Sequence, residues 1–203
     1  RTGRERLLSL TSQFSSMFSQ AMGSHLSTTR VSANQPALKN YVSGDEKQKD
    51  SALNVLQKVR HDTITVLVDL LDADYRLLLR SSKDSIDKLV DFDSLLKVAA
   101  MHRDTAIRNI YVVRDSMYYP VIAPVYNDHK QPLGYMVRWR LLWTTPQNIE
   151  QVTQLMGTRA ALFIGNADGS PWTDLLKPVS YVNFDTNQLN KAIRHTDKDG
   201  RKY

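Results

Sequence analysis

Apolar residues recur at Leu7, Leu10, Phe14, Met17 and Ala21, the three-and-four spacing of one helical stripe, and Leu8, Phe18 and Met22 widen it. This predicts a long N-terminal helix. The pair Asn34-Gln35 ahead of Pro36 marks the end of that helix and the start of another, because proline is well suited to a first helical turn. "SGDEKQKD" reads as a polar turn and "SALNVLQKVRHD" as a further short amphipathic helix. After Asp62 the period falls to that of strands. "TITVLVDLL", the turn "DADY" and "RLLLRS" predict a hairpin, and the stretch from Ser82 to Asp104 returns to helical spacing through Ile86, Leu89, Val90, Leu95, Leu96 and Val98. Three strands are then expected in "IRNIYVVR", "MYYPVIAPVY" and "PLGYMVRWRLLW", with turns at Asp115-Ser116 and from Asn127 to Gln131. Beyond Trp143, "TTPQNIEQVTQLMG" reads as a connecting helix, and "RAALFIGNADGSPWTDLL" as a strand, a turn and a return.

The fold class that follows is α+β: long N-terminal helices packed on an antiparallel five-stranded sheet, then a smaller, partial second α+β module. The expected division is a helical stalk or hairpin over 1–62, a sheet module over 63–145, and a linker helix with the start of a second module over 146–203. In 203 residues with 41 % hydrophobic positions there is enough material for a packed core.

This order of elements is similar to the PAS-like module of the Cache sensors that bacterial receptors carry outside the membrane. "VDLLDADYRLLLRSS" resembles the family's first hairpin, and "MYYPVIAPVYNDHKQPLGYMV" resembles its final one. "RAALFIGNADGSPWTDLL" resembles the opening hairpin of a second, membrane-proximal module, so the resemblance is to a double Cache arrangement. It implies an extracytoplasmic, periplasmic domain of an inner-membrane receptor such as a sensor histidine kinase. Such a domain captures a small molecule of unspecified class and passes the change along its helices to a cytoplasmic output. The parent would be anchored by segments outside this chain and paired through the N-terminal helix as a homodimer. An alternative from another class is a ligand-free module of the same fold that signals by touching a partner protein.

Composition narrows the chemistry. The chain has no cysteine, which excludes disulfides, thiolate metal sites and a thiol nucleophile. Its net charge of +6 is concentrated at the ends, with +4 over residues 1–40 and +3 over residues 191–203, so the centre offers no basic stripe for phosphates and nucleic acid is not expected as a partner. The five histidines, His25, His61, His102, His129 and His195, lack metal-site spacing and are read as solvent-facing residues of helices and turns. Asp72, Asp74 and Asp168 are explained by Asx turns. "GNADGS" lacks the context of a phosphate loop, and there is no catalytic signature, so no enzyme activity, catalytic residue, metal or cofactor is expected.

What remains is an aromatic and basic cluster on the three closing strands: Arg108, Tyr111, Arg114, Tyr118, Tyr119, Tyr126, Tyr135, Arg138 and Trp139. Guanidinium donors beside rigid aromatic walls suit a small anionic or zwitterionic ligand. By location in the resembled fold, where the pocket lies between sheet and connector, the candidate ligand-binding residues are Arg108, Tyr111, Arg114, Asp115, Tyr119 and Tyr126. The Arg-x-Trp motif of the amino-acid-binding members is absent from the connector. Trp172 is expected as a core anchor of the second hairpin.

Overall fold

A computed structural model describes residues 3–81, 105–113, 116–142, 150, 154, 163–166, 171–175 and 177–179. The chain divides into two compact units, one of Ala21–Asn109 with Tyr118–Leu141 and one of Arg1–Gln20, Ile110–Met117 and Leu142–Tyr203.

Helix α1 runs over Gly3–Ala33, α2 over Pro36–Val42 and α3 over Lys49–Arg60. The break between α1 and α2 has the expected cause. A residue ahead of proline is driven out of the helical region, and Gln35 is extended at φ −66° and ψ 142°. Residues read from sequence as a polar turn contain a short 3₁₀ turn, Glu46–Gln48, where the Asp45 carboxylate accepts the Lys47 N–H at 3.2 Å. Among the described residues no helix is long and apolar enough to cross a membrane.

The larger sheet contains β1 (Thr65–Asp72), β2 (Leu77–Arg80), β3 (Ala106–Ile107), β4 (Tyr111–Val113), β5 (Ser116–Tyr126) and β6 (Pro132–Leu141). Its order is β2-β1-β6-β5-β3, with β4 also on β5. The α+β class is as expected, but the single strand read in "IRNIYVVR" is two short ones, which makes six strands. Two contacts explain the interruption. Pro120 accepts the Arg108 N–H at 3.1 Å but has no N–H to return. The Asn166 side chain takes both backbone groups of Ile110, at 2.7 Å and 2.9 Å, so that residue leaves the ladder. The expected turn at Asp115-Ser116 is only partly described, and Ser116 already belongs to β5. The connector helix expected over 82–104 lies outside the described residues, as does most of the one expected over 144–157.

Strand alternation sends Val68, Leu70, Ala123, Val125 and Met136 to one face. There they form a single core with Ala33 of α1, Leu38 and Tyr41 of α2, and Ala52, Val55 and Leu56 of α3. Gly134 is required at this packing, since a Cβ there would lie 2.1 Å from the Leu71 carbonyl oxygen. The other unit contains a second sheet of β7 (Ile164–Gly165), β8 (Trp172–Thr173) and β9 (Pro178–Val179), paired in that order. Trp172 is half-buried and packs against Gly165, where a Cβ would meet the indole at 2.6 Å.

Candidate functional site

Two positions beyond Met136 on β6, the helix-facing surface of the sheet changes character: Arg138 and Arg140 follow on the same face. Both are buried, 4 % and 1 % exposed, and neighbouring strands supply partners for them. Arg140 lies opposite Tyr119 on β5 and Thr65 on β1. Arg140 Nε donates to the Tyr119 hydroxyl at 3.1 Å, and Arg140 Nη1 donates to Thr65 Oγ1 at 3.2 Å. Arg138 Nε donates to the same Thr65 oxygen at 2.8 Å.

The counter-charge comes from Asp62, in the turn between α3 and β1. Its Oδ1 accepts the backbone N–H groups of Ile64 at 3.2 Å and Thr65 at 2.6 Å, which starts β1. Its Oδ2 accepts from Arg140 Nη1 at 2.6 Å and from Arg138 Nη2. Burial opposes ionisation of this carboxyl, but hydrogen bonding to Thr65 and Arg140 and the two guanidinium charges outweigh it and hold its pKa at about 2. His25 of α1 completes the group, with Nε2 3.5 Å from Arg140 Nη2. Because a guanidinium has no acceptor, this is a hydrogen bond only when Nε2 carries no proton. Burial and the Arg140 and Arg138 charges lower the His25 pKa, in keeping with a neutral ring. The expectation that His25 faces solvent is therefore corrected: it lies on the α1 stripe that packs on the sheet and is half-buried, whereas His61 and His129 are exposed as read. His102 and His195 lie outside the described residues.

Beside this group opens a cleft of about 400 Å³, lined by His25, Thr28 and Ser32 of α1, Gln35, Lys58 and Val59 of α3, Asp62 and Arg138. Two guanidinium groups and an exposed lysine meet one carboxylate, so the excess charge is positive. Arg138 Nη1 is buried without a hydrogen-bond partner among the described residues. Burial and the neighbouring Arg140 charge lower the Arg138 pKa, opposed by Asp62.

The six candidates read from sequence are placed as follows. Tyr119 is buried and belongs to the arginine group through its hydroxyl. Arg108 follows β3 and is half-buried, with its backbone N–H on Pro120. Tyr126 ends β5, where its N–H donates to Asn34 Oδ1 at 3.1 Å. Tyr111 opens β4, in the other unit. Arg114 and Asp115 lie outside the described residues. None of the four described candidates lines the cleft. Sequence reasoning missed Asp62, Thr65, Arg140 and His25 as a group. The usable signal was two arginines at strand spacing where the apolar face of β6 should continue. Asp72 makes the expected Asx turn, its Oδ1 accepting the N–H groups of Asp74 at 2.8 Å and Arg76 at 2.9 Å, and no acid–histidine group among the described residues is suited to a metal.

No family model matches the chain, and no curated protein matches it in sequence. Solved structures do match it. The ligand-binding domain of the Campylobacter jejuni chemoreceptor Tlp3, in complex with L-valine, is 15 % identical with a TM-score of 0.59, over 96 % of this chain and 84 % of that one. The periplasmic domain of Vibrio cholerae LuxQ is 12 % identical with a TM-score of 0.54, over 87 % and 80 %. A domain of a sensory box/GGDEF family protein from Vibrio parahaemolyticus is 15 % identical with a TM-score of 0.51, over 70 % of this chain but only 61 % of that one. The fold is that of these sensory and ligand-binding domains, as the Cache-type, PAS-like resemblance implied.

Proposed function

We propose that this chain is an extracytoplasmic sensing domain of a bacterial receptor: it binds a small molecule and passes the change through its helices to a cytoplasmic output. The observation that carries this reading is the open, positively charged cleft between α1, α3 and β6, in a fold used by ligand-binding sensory domains. Cleft residues come from the sheet and from the 31-residue helix α1 alike, so a bound molecule touches both. A ligand shifts such a domain only by its difference in affinity between two states, and a cleft shared by two elements supplies that difference when they move.

The rest of the reading concerns the whole receptor. Its parent would be anchored in the inner membrane by segments beyond this chain. The first half of α1 exposes Leu8, Met17 and Phe18, apolar residues suited to pairing with a second copy. The domain itself carries no catalysis in this reading, and the output chemistry belongs elsewhere in the receptor.

A thermal-shift screen against amino acids, carboxylates, purines, amines and sugars tests it. A ligand at one hundred times its Kd adds about 2.7 kcal/mol, or about 5 to 10 °C in midpoint for a domain of this size. A hit establishes small-molecule sensing and gives the class. Silence across the library transfers the reading to a module that signals by protein contact.

A further inference from the structure

The arginine group is not closed on itself. Each oxygen of Asp62 already takes two donors, Oδ1 from the backbone and Oδ2 from the two guanidinium groups. All three nitrogens of Arg140 are engaged, by Tyr119, by Asp62 and Thr65, and by His25. Arg138 engages Nε and Nη2 and leaves Nη1 with both its protons. A buried charged donor without a partner is costly, and the saturated Asp62 cannot relieve it. The buried surplus is one positive charge, and Arg138, which leaves a nitrogen unpartnered, lines the cleft. Lys58 stands exposed at the same cleft and adds a second, solvated cation.

The remaining lining specifies more. Thr28, Ser32 and Gln35 are neutral hydrogen-bonding groups, and Val59 is the lining residue with an aliphatic side chain. Among the described lining residues nothing recommends a large apolar ligand. A primary ammonium is disfavoured too: the acid in the lining is Asp62, whose oxygens are occupied, and two guanidinium groups and a lysine repel a second cation.

Building on the sensory reading above, the geometry points to a small monocarboxylate bearing a hydroxyl or keto oxygen, rather than an amino acid, as the molecule this cleft takes. Its carboxylate pairs with the Arg138 guanidinium and faces Lys58, and its second oxygen meets the polar side chains of α1. The site lies on the helix-facing side of the sheet, and occupying it ties α1 to β6.

The test is thermal shift and calorimetry on the intact chain with L-lactate and pyruvate, matched in size against L-alanine and lactamide, followed by the same titrations on Arg138→Gln and Lys58→Glu. Expected are stabilisation by lactate or pyruvate, none by alanine or lactamide, loss of the effect in Arg138→Gln, and Kd weakened about tenfold or more in Lys58→Glu. Lys58 is exposed, so its variant folds and keeps the test decisive if Arg138→Gln does not. A second readout is the His25 imidazole by NMR, whose pKa should rise when an anion settles beside Arg138. Carboxylate binding that survives in Lys58→Glu and leaves His25 unmoved overturns the site while the sensory reading stands. A shift by alanine and not by lactate or pyruvate overturns the ligand class, again with the sensory reading intact. Silence from these probes and from the broad library together removes both.

Discussion

At one end of the sheet's helix-facing surface, Val68, Leu70, Ala123, Val125 and Met136 meet Leu38, Ala52 and Leu56 as an ordinary apolar core; at the other, the same strands hold Thr65, Tyr119, Arg138 and Arg140 against Asp62 and His25. Alternation is continuous from one end to the other along β5 and β6, whereas in β1 a register shift between Thr65 and Leu67 brings Thr65 onto the same face. The apolar end gains stability from area removed from water and is indifferent to pH. The charged end is held by ion pairing whose gain is offset by the cost of burying the charges, and its strength therefore depends on protons.

The strongest way to break the apolar end is Gly134→Ala. Its Cβ would sit 2.1 Å from a backbone oxygen of β1, which no side-chain rotation relieves, so β1 and β6 must part. A loss of about 3 kcal/mol or more is expected. Leu56→Ala, at a fully buried position of α3, should cost about 3 kcal/mol, read from denaturant unfolding. At the charged end Arg140→Met is expected to cost less, about 2 kcal/mol, because methionine fills much of the volume and Asp62 keeps Arg138 and, at 38 % exposure, water. Adding Asp62→Asn should then cost less than it does alone, since the two share one network. Full additivity in that cycle would mean the arginine group is no network at all.

Acid separates the two ends more sharply. Asp62 titrates at about 2 in the fold against an ordinary value of 3.8, so its contribution is complete above 3.8 and is lost as pH falls through about 2. His25 acts in the same direction at higher pH: its folded pKa lies below 6.5, so the unfolded chain takes the proton first and stability declines as pH drops below 6.5. Asp62→Asn should flatten the lower part of a stability–pH curve and His25→Phe the upper part, whereas Leu56→Ala should run parallel to wild type throughout. A parallel curve for Asp62→Asn would place the acid sensitivity elsewhere.

The two ends also differ in how readily they are read from sequence. The apolar end is written in local patterns: the stop at Pro36, the amphipathic spacing of α3, and the alternation in β1, β5 and β6 each depend on neighbours a few residues away. Where a distant residue intervenes, local reading fails. The interruption between β3 and β4 is made by Asn166, 56 positions from Ile110. Tyr119 and Arg138 stood in the aromatic and basic cluster, but their partners did not, since Asp62 is 76 positions from Arg138 and His25 is 115 from Arg140. A histidine on a helix surface and an aspartate in a turn carry no sign that two strands will deliver guanidinium groups to them.

The smallest expected effect on the unliganded fold is the most informative about the charged end. Lys58 is exposed, so Lys58→Met should change stability by no more than about 0.5 kcal/mol. If lysine only decorates the cleft, midpoints of wild type and variant coincide with and without lactate. If it helps hold an anion over Arg138, the two curves coincide without ligand and separate with it, the wild type rising further. The lysine then contributes only when the cleft is filled, which is the behaviour that distinguishes a receptor surface from a structural ion pair. Coincidence in both conditions, measured at low salt where screening is weakest, would leave the arginine group as a fastening between α1 and the sheet.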